Sequence, residues 1–396
     1  MKWTSAWRYM SIEFGMPAFI LRHQTQRFIF LNNLDGEKIR IRFTNRYGSA
    51  PLRLDAVTVG AAASDGTVGG VTAVTLDGQR AVELAPGQEI FSDEIPFPAR
   101  AGQRLAVSIY AGEPQRAEGP CSMSSFSVAE VRFGDGDCTD GRAFVPTLPE
   151  GLSSPFVQDI TPETMGLLLG FDAVQVLTGD DVKVVAAFGD SITNMGFIPD
   201  PIALRLFAAA PGKVTLVNCG ISGNRLLADA TFIKAMGMTI TAFGPAGTGR
   251  FERDVFGLDA PDAVVTLMGI NDIMHPIQLE ELPAATPAEE IIAGISAIAD
   301  ISHRHGAKFF AATLPPAGND DYPDWWRAAF EKERLSLNGW IRSNDVCDGF
   351  FDYDAALRDD AHPGYMRPEY HIGDGLHPNA EGGRLAAETV DIGALV

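Results

Sequence analysis

What this chain has least of is positive charge. It sets 31 lysines and arginines against 51 aspartates and glutamates, a formal charge of −20. That balance argues against nucleic acid or an anionic membrane as partner, since both demand basic patches, and it favours an uncharged substrate. Long apolar runs are also missing. No stretch approaches the roughly 18 apolar residues of a membrane span. Arg8, Glu13 and Arg22 interrupt any N-terminal run that could serve as the apolar part of a signal peptide. A cytoplasmic location is therefore expected. The four cysteines, Cys121, Cys138, Cys219 and Cys347, show no C-x-x-C spacing. Free thiols in a reducing compartment are the expectation, with a bridge between Cys121 and Cys138 across a hairpin as the alternative. His303-x-His305 closes an amphipathic segment without a Cys or H-E-x-x-H companion, so no metal or other cofactor is expected. Those histidines suit a helix C-terminus.

What is there divides in style. At 396 residues, two compact units are expected. From about Gln26 to Phe133 short runs alternate at period two between Gly, Asn and Asp, as in Lys38-Ile-Arg-Ile-Arg-Phe43, Leu52-Arg-Leu54 and Leu105-Ala-Val-Ser-Ile-Tyr110. Val71 to Leu84 reads as a hairpin, with Asp77-Gly78 supplying the positive φ angles of a type I′ turn. A loose segment, Gly134 to Pro155, leads to a further alternating run, Met165 to Leu177, expected to return to the same sandwich. This predicts an all-β, jelly-roll-like domain over residues 1–178, with a boundary near Thr178-Gly-Asp-Asp181. Its role reads as a structural partner or, by analogy of fold alone, a carbohydrate-binding module.

Residues 179–396 instead alternate strands with helical patterns, which predicts an α/β domain with a parallel sheet. The strands are expected at 182–188, 214–219, 263–268, 308–313 and 349–353. The clearest helix spans 287–305, with Thr286-Pro-Ala-Glu289 as a capping box, proline at its first position and Gly306 as its stop. A second is expected over 325–342 and a terminal one from about Asn379.

Four short motifs follow these strands in order. Gly189-Asp-Ser191 ends the first strand, Gly220-Ile-Ser-Gly-Asn224 the second and Gly269-Ile-Asn-Asp272 the third, and Asp374-Gly-Leu-His377-Pro-Asn379 precedes the last helix. Any one alone is weak, because serine is also a favoured helix N-cap and Gly or Asn a common turn former. Together they resemble the SGNH (GDSL-type) hydrolase family over roughly Val184 to the C-terminus. The resemblance implies a five-stranded, flavodoxin-like sheet in the order 2-1-3-4-5. It also implies Ser191 as nucleophile, His377 as base, Asp374 as its orienter, and an oxyanion hole from the Ser191 and Gly223 N–H groups with the Asn271 amide. Some relatives carry an amino-terminal β-domain, and relatives are often exported. There is no G-x-S-x-G, which argues against the α/β-hydrolase nucleophile elbow.

The chemistry agrees with the residue types. A serine hydroxyl is a poor nucleophile until a base takes its proton, and a histidine oriented by a carboxylate supplies one. Two Asp-x-x-His-Pro runs compete for that role, Asp359 to Pro363 and Asp374 to Pro378. The second is preferred, because Asn379 can start a helix that braces it. Asp190, Asn224, Trp325 and Trp326 are candidate substrate contacts, and the glycine-rich stretch Met236 to Gly249 a candidate lid or acyl-pocket wall. The expected activity is hydrolysis of short-acyl, chiefly acetyl, esters of a carbohydrate or small polar alcohol through an acyl-enzyme. The alternatives are a lipase-like or thioesterase acyl hydrolase, glycoside hydrolysis by Asp320-Asp321 or Asp359-Asp360, and a non-catalytic carbohydrate-binding protein.

Overall fold

The computed structural model describes residues 1–152 and 160–396, so the last residues of the loose segment, 153–155, lie outside it. The chain divides into two compact units, Met1–Val182 with Ala210–Thr215, and Lys183–Ala209 with Leu216–Val396. Among the described residues no helix is long and apolar enough to cross a membrane.

The first unit is built from two five-stranded sheets. One runs Lys2–Arg8, Phe171–Thr178, Gly36–Thr44 and Ile95–Ala99, with Glu89–Phe91 also on Gly36–Thr44. The other runs Ala129–Asp135, Gln24–Leu31, Arg104–Ala111, Ala56–Ala62 and Val68–Ala73. Every pairing within them is antiparallel. Period-two patterning explains why they share one core. Ile39, Ile41 and Phe43 are buried against Phe28, Phe30, Val107 and Ile109 of the facing sheet. Arg40 and Arg42 leave by the opposite face, Arg40 over the rings of Trp3 and Phe91 and Arg42 paired with Asp172. The run Met165 to Leu177 returns to the sandwich as expected, Phe171–Thr178 lying between the N-terminal strand and Gly36–Thr44. The strand Lys2–Arg8 carries no alternation, because its residues from Thr4 onward are buried on both faces.

Two sequence expectations need correction here. Asp77 and Gly78 do adopt positive φ (52° and 74°), and Leu76 bridges Gln79, but the predicted hairpin stops there. The flanking strands diverge, Val68–Ala73 pairing with the preceding strand Ala56–Ala62 and Val82–Leu84 with the more distant Leu52–Leu54. The alternative of a bridge between Cys121 and Cys138 also falls. All four cysteines are free, the Cys121 thiol facing the Ser11 hydroxyl and the Cys138 thiol the Asp135 carbonyl.

The second unit holds the sheet Val214–Gly220, Lys183–Gly189, Ala263–Leu267, Lys308–Ala312, Gly349–Phe351, which is the order 2-1-3-4-5. Lys183–Gly189 and the three strands that follow it pair in parallel. The helices are α1 (Ser191–Asn194), α2 (Pro199–Ala209), α3 (Gly247–Phe256), α4 (Ile270–Gln278), α5 (Ala288–Arg304), α6 (Asp324–Ser343), α7 (Tyr353–Leu357), α8 (Ala380–Glu388) and α9 (Ile392–Leu395). The predicted capping box does not form on α5. Pro287 stands before the helix rather than inside it, and the Ala288 N–H is taken by the Glu333 carboxylate of α6 at 2.8 Å. A carboxylate distant in sequence has replaced the local cap. Asn379 does cap α8, accepting from the N–H groups of Glu381 and Gly382.

Candidate active site

Three of the motif residues follow the C-terminal ends of neighbouring strands, where open α/β sheets gather ligands. Ser191 follows Lys183–Gly189, Gly223 follows Val214–Gly220, and Asn271 follows Ala263–Leu267. Ser191 opens α1 but does not cap it. The cap is Asp190, whose Oδ1 accepts the Ile192 N–H at 3.0 Å, and this leaves the serine hydroxyl free for another partner. That partner is His377, with Nε2 2.7 Å from Ser191 Oγ. On the far side of the ring, His377 Nδ1 lies 2.6 Å from Asp374 Oδ2. Asp374 Oδ1 accepts the backbone N–H groups of Leu376 and His377, both at 2.9 Å. Burial pushes this carboxyl's pKa upward, yet the hydrogen bond and charge of His377 with the two N–H donors prevail and hold it down at about 2. Asp374 is thus ionised across the working range.

Gly223 lies in a left-handed turn with φ of +73°, and a Cβ there would stand 2.1 Å from the Phe243 ring. Only glycine fits both conditions. Asn271 sits in the first turn of α4, and its Nδ2 donates to the Asn224 carbonyl at 3.0 Å, which spends one of its two amide donors. Ile221 N–H donates to the Gly189 carbonyl at 3.1 Å and joins the first two strand ends.

Of the candidate substrate contacts, three are corrected by burial. Asp190 and Asn224 have no exposed surface, and Trp326 keeps only 2%. Asn224 is a brace. Its Nδ2 donates to the carbonyls of Phe243 and Pro245, and its Oδ1 accepts from Arg250 Nε. Trp326 stacks on Phe330 and Tyr322 in the packing of α6, whereas Trp325 is 56% exposed. The stretch Met236 to Gly249 is ordered as the second strand of a small hairpin, Thr231–Ile233 with Met238–Ile240, then a short turn whose Phe243 packs on Gly223, then the start of α3. His362 is exposed and stands edge-on to Tyr365, while His377 holds the bond to Ser191. The acidic pairs proposed for glycoside hydrolysis have local partners: Asp320 accepts from the Tyr365 hydroxyl, Asp359 from the Ala361 N–H, and Asp360 pairs with Arg367. His303 and His305 each meet one carboxylate, Asp348 and Glu252.

Sequence reasoning missed what lies beneath. Arg250, fully buried on α3, donates Nη1 to the Cys219 carbonyl at 2.8 Å, Nη2 to the Gly189 carbonyl at 2.9 Å and Nε to Asn224 at 2.9 Å, with its guanidinium 4.2 Å above the Phe188 ring. Asp272, also fully buried, accepts the N–H groups of Leu226 and Leu227. Burial raises its pKa to about 6 despite those donors. His275, one turn beyond Asn271, is pushed down to about 3 by burial and lies against Phe243, its Nδ1 2.8 Å from the Thr231 hydroxyl. The signal for Arg250 in the sequence was a cation placed directly after the apolar, glycine-rich stretch.

A parallel sheet of order 2-1-3-4-5 with a serine, an imidazole and a carboxylate in hydrogen-bonded series is the arrangement of an acyl hydrolase. The model of the GDSL-like Lipase/Acylhydrolase family matches residues 187–385, half of the chain, and the chain belongs to that family. It is a carboxylic ester hydrolase by that membership. Solved structures similar to it include a GDSL-like lipase from Bacteroides thetaiotaomicron, at 22% identity and a TM-score of 0.36 over 52% of this chain and 85% of that one. An α/β hydrolase from the metagenome of Lake Arreo gives 21% and 0.39 over 52% and 92%. A catalytic mutant of an acetylxylan esterase from Geobacillus stearothermophilus gives 19% and 0.37 over 52% and 91%. No curated protein matches the sequence.

Proposed function

We propose that the chain hydrolyses short-acyl, chiefly acetyl, esters of a carbohydrate or similar small polar alcohol through an acyl-enzyme on Ser191. The observation that carries this is the series Ser191 Oγ to His377 Nε2 at 2.7 Å and His377 Nδ1 to Asp374 at 2.6 Å. His377 takes the Ser191 proton as Oγ attacks the ester carbonyl. Asp374, ionised, steadies the imidazolium that forms. The carbonyl oxygen, now negative, is received by the Ser191 and Gly223 N–H groups and the second Asn271 amide proton; one such donor is worth roughly 10²–10³ in turnover. Collapse breaks the carbon–oxygen bond of the leaving alcohol, which takes its proton from His377. Water, deprotonated by the same imidazole, then releases the acid and frees the serine.

The acyl group is taken as short because the Phe243 ring already fills the space beside Gly223. The alcohol is taken as uncharged because a chain of net charge −20 repels anions. A series of p-nitrophenyl esters from acetyl to dodecanoyl, with acetylated sugars alongside, tests both choices. Falling kcat/KM with chain length and turnover of the sugars are expected. A rate that rises toward the long chains would give the substrate to the lipase-like alternative. Failure of Ser191 to react with a fluorophosphonate would remove the acyl-enzyme itself.

A further inference from the structure

We infer that His371 is a positioning residue of this site, holding the loop that carries Asp374 through an unprotonated Nδ1. The inference rests on the roles proposed above for Asp374 and His377. His371 Nδ1 lies 3.0 Å from the backbone nitrogen of Gly373 and 3.0 Å from that of Gly375, the two residues that flank Asp374. Both glycines have positive φ, +112° and +74°, which turns their N–H groups onto the one ring nitrogen. The backbone of His371 is pinned on the opposite side. Its carbonyl accepts from Asn379 Nδ2 at 3.1 Å, it bridges Pro378, and the Ile372 N–H donates to the His377 carbonyl at 3.0 Å. The chain from His371 to Asn379 is therefore a closed loop, with Asp374 at its tip and an imidazole as its internal strut.

The Asp374 carboxylate is also held by the Leu376 and His377 N–H groups, but those bonds lie within the loop, and among the described residues the Gly373 and Gly375 N–H groups have no acceptor other than this nitrogen. Asn319 Nδ2 reaches the Asp374 carbonyl only at 3.4 Å. Without the imidazole, two N–H donors lose their acceptor and two glycines regain their freedom. The Asp374 carboxylate then wanders by more than the roughly 0.5 Å that a reacting constellation tolerates.

The geometry also fixes a protonation state. A nitrogen that accepts two N–H groups presents a lone pair, so the ring proton is on Nε2. A second proton, on Nδ1, would set three donors against one another and open the loop. The rest of the ring borders a cavity of about 420 Å³ shared with Asp320, Asp359, His362 and Tyr365. Arg367 and Glu369 stand just before His371 in sequence, and Asp374 three residues after it. Acid inactivation should therefore take two protons, one on His377 and one on His371.

The test compares His371→Ala and His371→Asn, since the asparagine Oδ1 takes the place of Nδ1 as an acceptor that does not titrate. Active serines are counted with a fluorophosphonate, and kcat and KM for p-nitrophenyl acetate are measured per active serine across the acid range. His371→Ala should lower kcat about 10- to 100-fold with KM little changed. His371→Asn should recover most of that loss, and the acid limb of log kcat/KM should ease from a slope of two in the parent to one. Should the alanine variant fail to fold, the asparagine profile alone decides. An alanine variant with parental kcat, an asparagine variant no better than alanine, or a parental acid limb of slope one would overturn the inference. An active His377→Ala would instead overturn the reading on which it rests.

Discussion

Asp190 is a carboxylic acid folded into a place with no room for its charge, and that has a measurable cost. One oxygen accepts the Ile192 N–H, while the other is buried without a hydrogen-bond partner among the described residues. Burial, outweighing that N–H and the nearby charge of His377, lifts its pKa from 3.8 to about 7, and the Asp272 carboxylate adds to the rise. The raised value sets the sign. Between about pH 4 and pH 7 the unfolded chain has released this proton and the folded chain still holds it, so stability falls as pH rises through that window. Three units at about 1.4 kcal/mol each give a loss of up to about 4 kcal/mol by pH 8. Asp190→Asn keeps an acceptor for the Ile192 N–H, remains a good N-cap, and cannot ionise. It adds one buried amide donor, a pH-independent cost of about 1–3 kcal/mol. Urea unfolding of both proteins across this range should show the variant equal to or less stable than the parent at acid pH. It should gain on the parent by about 2–4 kcal/mol between pH 4.5 and pH 8. Parallel stability curves, or a gap that opens the other way, would show that Asp190 is ionised in the fold and refute the reasoning.

Ser191→Ala should abolish both the burst and the turnover while melting as the parent does; more than a few per cent of activity in contaminant-free protein would sink the acyl-enzyme. His377→Ala should lower kcat by roughly 10³-fold or more, and His362→Ala should keep most of the activity; the reverse pattern would overturn the assignment of both His377 and Asp374. Expressed alone, residues 181–396 should be poorly soluble or less stable. In the whole chain Thr215 donates to the Ser5 carbonyl and Asn33 to the carbonyls of Ala210 and Val214, and truncation strands these groups. A fragment as stable as the parent that loses only polymeric substrates would instead favour a sugar-binding role for residues 1–178.

The sheet, and the meeting of Ser191, His377 and Asp374 at its edge, were legible because each is encoded locally. An apolar run closed by Gly-Asp-Ser, a glycine in a turn and an Asp-x-x-His spacing all work over a few residues, and the strand period brings them to one edge. What sequence could not show are interactions that close over long separations. Glu333 reaches Ala288 and displaces the capping box, and Val82–Leu84, just after Asp77-Gly78, pairs back with Leu52–Leu54. His371 went unread for a related reason. Its task is to accept from backbone, and backbone has no sequence identity to match.

Arg250 explains why short motifs on three strands make one shape. Its guanidinium holds the carbonyl of Gly189, two residues before Ser191, and that of Cys219, just before the Gly223 turn. Its third contact, Asn224, offers its own carbonyl to Asn271 on the next strand's helix. The spacing between the serine, the glycine turn and the amide is thus set by one planar group with fixed donor directions. Lysine, a single flexible ammonium, could not reproduce that fork. Burying such a charge costs several kcal/mol, offset here by four acceptors, the Asp254 carboxylate among them, and by the Phe188 ring. An apolar side chain in its place would pack, but it would leave the Gly189 and Cys219 carbonyls without their guanidinium, and Gly189 with the Ile221 N–H as its remaining tie to the neighbouring strand end. Asn224, which resembled a substrate contact in sequence, is the link that passes this constraint on to Asn271.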